Sequence, residues 1–177
     1  MTVVIWLAEG TWPACVDAAR ELPAGPVRLL HVVDAESVAA IDGAHAGLLG
    51  RAGRFGRAEG AGGAGRAERA GGAEGADGAA GAEMLARTQA ALLDAAAARL
   101  GRPAERDGRS GRIEREVVAA CADADLLILA RDGDRTRLGP KSLGPATRFV
   151  LDHAPCRVLL VWPDEPPGLA TLPPPPP

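Results

Sequence analysis

The sequence has few of the residues that mark a secreted, disulfide-bonded or membrane protein. Its 177 residues include three cysteines, Cys15, Cys121 and Cys156, with neither a CxxC pair nor the Cys/His spacing of a metal site. Each lies in an apolar context, so we expect reduced, buried thiols and no metal. No apolar run approaches the roughly 20 residues of a membrane span, and the start lacks a basic signal-peptide region. These absences predict a cytoplasmic protein that binds no membrane.

Aromatic residues and excess charge are also scarce, which limits the partners that we expect. Only 3% of the residues are aromatic, and the formal net charge is −3. Because acids slightly outnumber bases, bulk electrostatics does not favour a polyanionic partner. An arginine- and glycine-containing stretch surrounds Phe55, but Glu59, Glu68 and Glu74 offset its arginines, and Phe55 is its one residue able to stack on a base. We therefore expect no nucleic-acid binding.

Apolar runs without alternation are the strongest positive signal in the chain. They occur at residues 2–8, 29–33, 126–130 and 158–162. Continuous apolar segments of this length are typical of strands covered on both faces, as in a parallel sheet. Residues 104–108 occupy the position of another strand but are polar, which fits only an exposed edge.

Helical patterns separate these runs. We predict helices after Thr11 and Ser110, each of which can act as an N-cap, from about Glu83 to residue 100, and after Gly144 and Pro145. The alternation predicts an α/β fold of three layers, a doubly wound parallel sheet of five strands in the order 3-2-1-4-5. This order is flavodoxin-like, or adenine-nucleotide-hydrolase-like, and its topological switch point lies between strands 1 and 4.

Two segments have the composition of irregular structure. Residues 53–82 are almost entirely Gly, Ala, Arg and Glu, so we assign a flexible insertion to about residues 46–82. It leaves strand 2 at the ligand-binding edge and could cover the crevice as a flap. Residues 163–177 end in a proline run and are expected to form a disordered, extended tail. The single α/β domain then spans residues 1–162.

The loop between the last two apolar runs points to a ligand site. It contains Ala130, Gly133, Gly144 and Pro145, and it is followed by the sequence HAPCRVLLVW, which begins at His153. This segment resembles the bacterial universal stress protein family, whose signature loop has Gly, two residues, Gly, nine residues, Gly and then Ser or Thr. Two glycines match. Ala130 replaces the first glycine, the spacer is one residue longer and Pro145 replaces the hydroxyl residue, so the nucleotide-binding loop is degenerate.

The resemblance implies a site for an adenine nucleotide, ATP or AMP, at the switch point. An acidic residue after strand 1, backbone at the end of strand 2 and the glycine loop would contact the base and the phosphates. Pro145 provides neither an N–H nor a hydroxyl, which weakens binding, and nearby basic and hydroxyl side chains can compensate. The candidate binding residues are Ala8, Glu9, Gly10, Val32, Ala130, Gly133, Lys141, Ser142 and Gly144.

The strand from Arg157 to Trp162 is the candidate partner surface. It is predicted to be an edge strand with five consecutive apolar residues and no charge among them to prevent pairing with another chain. In proteins similar to this one the strand pairs antiparallel with its twin, which implies a homodimer.

The sequence shows no catalytic constellation. GDRTRLGPKS is not a Walker loop, because five residues separate Gly133 from Gly139 and Pro140 separates Gly139 from Lys141. Three functions stay open on the resemblance: a regulator of the stress response that senses an adenine nucleotide, a dimeric interaction module without nucleotide, and an ATP-binding sensor with slow hydrolysis. We expect no enzyme in the ordinary sense.

Overall fold

Five strands alternate with helices along the described part of the chain. The computed structural model of the protein describes residues 1–34 and 74–174. The strands in these ranges are β1 Val3–Trp6, β2 Val27–Asp34, β3 Glu105–Gly111, β4 Leu126–Ala130 and β5 Arg157–Val161, and the α-helices are α1 Trp12–Arg20, α2 Glu74–Leu100, α3 Ile113–Ala120 and α4 Pro145–His153.

All five strands form one parallel sheet in the order β3-β2-β1-β4-β5, as predicted. β1 is the central strand, and Val3 lies opposite both Val27 of β2 and Leu126 of β4. Because neighbouring strands run in the same direction, the carboxyl ends of β1, β2 and β4 lie at the same end of the sheet. That end contains the predicted switch point.

Side-chain alternation along the strands divides the core into two layers. Val3 and Ile5 of β1, with Leu7 directly after it, face α1 and α2, whereas Val4 and Trp6 face α3 and α4. β4 is buried at every position, which explains its run of apolar residues without alternation. Burying one such side chain stabilises the fold by roughly 1.5–3 kcal/mol. The doubly wound architecture is therefore confirmed.

β3 is the polar edge strand that the sequence predicted, although it extends three residues further. Ser110 lies opposite Val33 in the parallel ladder with β2. The expectation that Ser110 caps a helix is therefore wrong, and Arg112 is the N-cap of α3 instead. At the other end of β2, Arg28 forms ion pairs with Glu105 and Asp123, each at 3.2 Å, and so ties the edge to the rest of the domain.

α2 begins nine residues before the predicted start at Glu83. Residues 74–82, assigned to the flexible insertion, are therefore helical although Gly75, Gly78 and Gly81 each cost about 1 kcal/mol relative to alanine. Extending a helix already fixed by tertiary packing is far easier than nucleating one, which explains the earlier start. The remaining insertion and its predicted flap lie outside the described residues. Among the described helices, none combines the length and hydropathy of a membrane span.

The tail contacts the domain beyond residue 162, where the sequence predicted a disordered segment. Asp164 forms an ion pair with Arg135 at 2.7 Å, and a short 3₁₀ turn follows at Leu169–Thr171. The Thr171 hydroxyl accepts a hydrogen bond from the Leu138 amide at 3.1 Å. These contacts with the loop after β4 hold the tail against the domain, a pairing too distant in sequence for composition to show. Residues 175–177 lie outside the described part.

The three cysteines differ in exposure. Cys15 and Cys121 are buried, as expected, whereas Cys156 is only half-buried. Burial raises the pKa of the Cys15 thiol to about 12, and burial together with the neighbouring Cys156 raises the pKa of Cys121 to about 12. A thiol with so high a pKa is almost entirely protonated at neutral pH and reacts poorly as a nucleophile.

We predict that one thiol of the native protein reacts readily with a disulfide reagent such as dithionitrobenzoate near pH ~8, and that all three react after denaturation. The release of thionitrobenzoate measures this number. The Cys156→Ser variant should lose the fast native reaction, and the Cys15→Ser variant should keep it. A fast native reaction in the Cys156→Ser variant would contradict the burial of the other two thiols.

Candidate functional site

The turn after β1 is a tight connection into α1. The amides of Thr11 and Trp12 both donate to the Ala8 carbonyl, at 3.2 and 3.0 Å, and Gly10 adopts a positive φ of 74° that favours glycine. Thr11 is the N-cap residue, but its hydroxyl donates to the Ala8 carbonyl at 3.3 Å and accepts no hydrogen bond from an amide of α1. This turn directs Glu9 towards the edge where β2 also ends.

A cavity of about 370 Å³ lies between the ends of β1 and β2 and one face of α2. Its volume falls in the range of small-molecule sites. Three predicted binding residues line it, Ala8, Glu9 and Val32. The remaining lining residues are Trp6, Leu7, His31, Val33, Asp34, Leu85, Thr88, Gln89 and Ile113.

His31 is the cavity residue whose role the sequence analysis missed. Its side chain is only 8% exposed, and its Nδ1 atom has no hydrogen-bond partner among the described residues. Burial lowers the pKa of the imidazole from its usual 6.5, although the Glu9 carboxylate acts in the opposite direction. His31 is therefore a neutral, buried polar group on the wall of a cavity. The apolar run that contains it gave no sign that its side chain meets a cavity.

Gln89 fixes the wall of the cavity next to His31. Its Nε2 donates to the backbone carbonyls of His31 and Arg109, each at 3.0 Å, and so joins α2 to β2 and β3. Gly108 makes room for it, since a Cβ atom at Gly108 would lie 2.9 Å from the glutamine side chain. The Gln89 side chain is thus held in place by two strands.

A wider groove of about 740 Å³ adjoins this cavity. Asp34 and Ile113 line both of them, so the groove continues the cavity towards the start of α4. Its basic residue, Arg112, is bound to Glu114 with an Nε–Oε1 distance of 2.6 Å. The remaining lining residues are Pro145, Ala146 and Phe149.

Backbone hydrogen bonds join the beginning and the end of the loop after β4. The Gly133 amide donates to the Ser142 carbonyl at 3.0 Å, and the Asp134 amide donates to the Lys141 carbonyl at 2.9 Å. A side chain at Gly133 would collide with the backbone of Lys141 and Ser142, which explains the glycine. Lys141 itself has an exposed side chain.

Ser142 and Ala130 have structural positions, contrary to the expectation that they face a ligand. Ser142 is fully buried, and its hydroxyl donates to the Gly139 carbonyl at 2.7 Å and accepts from Arg131. Arg131 in turn lies over the Trp162 ring, 4.6 Å from its centre. Ala130 is a buried part of the core layer that faces α1 and α2. Long-range packing, invisible in the loop sequence, accounts for both positions.

The amide of Gly144 binds a carboxylate of the chain itself. It donates to Asp132 Oδ1 at 2.6 Å, at the point where α4 begins. Pro145 follows as the first helical residue and has no N–H. The predicted phosphate-binding position is therefore occupied by Asp132. Within the described part of the chain, no group of His, Cys, Asp and Glu side chains could hold a metal ion.

We predict that stability falls as the pH is lowered from about 7.5 to about 5.5, in part because of His31. Because the folded-state pKa of His31 is depressed, the unfolded chain binds a proton at a higher pH than the folded chain does. His31 therefore leaves the free energy of unfolding unchanged above its usual pKa and lowers it as the pH falls below that value. Urea unfolding across this pH range should show that His31→Gln loses less free energy of unfolding than the parent does. Equal losses in the two proteins would contradict the assignment.

Comparison with known proteins agrees with this architecture. The family model described as "Universal stress protein family" matches residues 14–161. Among solved structures, the universal stress protein UspA from Lactobacillus plantarum is 18% identical, with 91% of this chain and 97% of that chain covered and a TM-score of 0.50. A universal stress protein in complex with cAMP is 15% identical, with 93% and 98% covered and a TM-score of 0.53.

These structural likenesses are too distant in sequence to show more than the fold. None of the curated proteins matches the chain. The family model covers most of the chain, from the first helix to the last strand, and its match agrees with the observed strand order and the glycine-containing loop after β4. The chain therefore belongs to the universal stress protein family.

Proposed function

We propose that this chain is a cytoplasmic regulator of the stress response that binds an adenine-type ligand in the cavity beside His31. The observation that carries the proposal is the cavity of about 370 Å³ at the switch point of the sheet, lined by the Glu9 carboxylate and by the buried His31.

The cavity walls suit a flat, heterocyclic base. Trp6, Leu7, Val32 and Ile113 provide apolar surface, which is larger than the polar surface of the lining, as in most small-molecule sites. The Glu9 carboxylate can accept a hydrogen bond from an exocyclic amino group. That a universal stress protein of similar fold was solved in complex with cAMP also supports an adenine ligand.

We propose that the protein acts by binding and assembly and does not turn over a substrate. The neutral His31 lies near Glu9, and the hydroxyl among the described residues that line the cavity, that of Thr88, donates to the Met84 carbonyl at 3.0 Å. The Gly144 amide is engaged by Asp132, so the loop offers a transferred phosphoryl group little stabilisation.

Filling the cavity should abolish binding. Thr88 lines the cavity from an exposed position on α2, so we expect Thr88→Phe to place a ring in the cavity without disturbing the core. Calorimetric titration of the parent with adenosine, AMP and ATP should detect submillimolar binding of at least one ligand, and Thr88→Phe should weaken it about tenfold or more.

Ala95→Phe is the matched control for this variant, because Ala95 is exposed on the same helix and does not line the cavity. It should bind the ligand as the parent does. Binding that survives unchanged in Thr88→Phe would exclude this cavity. Failure of the parent to bind any of the three ligands would overturn the proposed function.

We also propose a symmetric homodimer formed by β5. The strand lies at the edge of the sheet, and its apolar residues Val158 to Val161 are only half-buried in the single chain. An apolar edge with unpaired backbone groups favours pairing with a second strand. Antiparallel pairing of two β5 strands would extend the sheet across both chains and would cover these side chains.

Val161→Lys should convert the dimer to a monomer, because a charge in the centre of an apolar strand pair loses its hydration. Light scattering should give about twice the chain mass of 18.1 kDa for the parent and about one chain mass for the variant. Leu172→Lys, at an exposed tail position, should leave the dimer intact. A parent that is monomeric, or a Val161→Lys variant that stays dimeric, would exclude this surface.

A further inference from the structure

Two of the three cysteines lie together on the face of the sheet that α3 and α4 cover. Cys121 follows directly after α3, and Cys156 directly precedes β5. Cys121 is one of the buried residues of the core layer on this face, and Cys156 packs against that layer. Cys15, by contrast, belongs to the layer on the opposite face, beside α1 and α2. The fold thus brings together two thiols that are distant in the sequence.

The thiols of Cys121 and Cys156 interact with each other. The pKa of Cys121 is raised to about 12, first by burial and then by the neighbouring Cys156 thiol. The positive charges of Arg28 and Arg109 act on this pKa in the opposite direction. Arg28 lies at the same helix end, where its guanidinium donates to the Ala120 carbonyl at 3.1 Å. Cys121 therefore has a thiol neighbour and, close to it, cations that favour its thiolate when the proton leaves.

A difference in exposure distinguishes the roles of the two thiols. Cys121 is only 1% exposed, whereas Cys156 is half-buried. Cys156 also stands at the beginning of β5, the strand at the open edge of the sheet. Because access controls the reactions of cysteine, a reagent in solution meets Cys156 first. Cys121 is then placed to attack whatever is bound to the Cys156 sulfur.

We infer that Cys121 and Cys156 form a reversible disulfide by exchange with a low-molecular-weight disulfide. Cys156 is the thiol that is modified first, and Cys121 is the thiol that resolves the mixed disulfide. Neither residue lines the two described cavities at the other end of the sheet. The inference is therefore independent of the proposed ligand and goes beyond the proposed function.

The exchange proceeds in two steps. The Cys156 thiolate attacks one sulfur atom of the small disulfide, which forms a mixed disulfide and releases one small thiolate. The Cys121 thiolate then attacks the Cys156 sulfur, forms the bond between the two cysteines and releases the second small thiolate. The released thiolates take up the two protons that the cysteines lose. The chain is thereby oxidised by two electrons, and the small disulfide is reduced to two thiols.

The second step does not require that Cys121 be exposed. Because the attack is intramolecular, the neighbouring thiol acts at a high effective concentration. A thiol with a high pKa also gives a more nucleophilic thiolate, which partly offsets the small fraction that is deprotonated. Burial of Cys121 therefore slows its reaction with reagents in solution much more than its reaction with Cys156.

Incubation of the reduced full chain with oxidised glutathione, followed by mass spectrometry after an acid quench, tests this directly. The parent should lose two hydrogen atoms and retain no glutathione, with the internal disulfide exceeding the mixed disulfide by about tenfold or more at submillimolar glutathione. Trypsin places Cys121 in the peptide of residues 116–131 and Cys156 in the peptide of residues 149–157. Digestion without a reducing agent should give these two peptides joined, and dithiothreitol should separate them.

Three variants assign the steps. Cys121→Ala should stop at the mixed disulfide and retain one glutathione on Cys156, whereas Cys156→Ser should neither form the disulfide nor retain glutathione in its native state. Cys15→Ser is the matched control, because it removes the buried thiol of the opposite layer, and it should form the same disulfide as the parent. With dithionitrobenzoate, the fast release from Cys156 should be followed in the parent by a slower second release, which Cys121→Ala should lack.

The inference fails if the parent retains glutathione on Cys156 to the same extent as Cys121→Ala does, because Cys121 would then not resolve the mixed disulfide. A parent that does not react, or one whose joined peptides include Cys15, would also overturn it. Thermal unfolding shows whether each variant is folded. The peptide map of the parent decides the question without any variant.

Discussion

The position of β1 between β2 and β4 is the constraint on which the rest of the structure depends. The parallel registers Val3 with Val27 and Val3 with Leu126 bring the ends of three strands to the same edge of the sheet. Without that arrangement the turn at Glu9 and the end of β2 at Asp34 would not line a common cavity. The apolar surfaces of β1 and β4, buried on both faces, hold these strands together.

At that end of the sheet, some polar groups form hydrogen bonds within the chain and others do not. The loop after β4 is closed by backbone hydrogen bonds between Gly133 and Ser142, and Asp132 occupies the Gly144 amide. By contrast, the Nδ1 of His31 is left without a partner among the described residues. The expected consequence is that the start of α4 disfavours a further negative charge.

Much of the fold follows from the sequence, because burial imposes patterns that are visible in a single chain. The run at Leu126–Ala130 has no polar residue, since both of its faces are covered, and the polar β3 could only be an edge. The sequence predicted the start of α2 nine residues too late. The prediction gave more weight to the local glycine content than to the extension of a helix that is already packed. The contact of the tail through Asp164 and Arg135 joins positions that composition cannot relate.

The lining of the candidate cavity was predictable in part. Ala8, Glu9 and Val32 do line the cavity, because the ends of parallel strands must meet there. The buried hydroxyl of Ser142 depends on Arg131 and Gly139, and the engagement of Gly144 depends on Asp132, twelve positions earlier. Such pairings follow from the path of the loop in space. The residue types alone suggested a phosphate cradle, whereas the structure has a loop that binds its own carboxylate.

The most direct test of this account is the amide resonance of Gly144 in a nuclear magnetic resonance titration. The account predicts that adenosine shifts the resonances of residues around His31 and leaves the Gly144 amide unperturbed, because that amide stays bonded to Asp132. ATP at the same concentration should leave it unperturbed as well. A large shift of the Gly144 amide on addition of ATP to the parent protein would show that phosphate displaces the carboxylate, and would contradict the account.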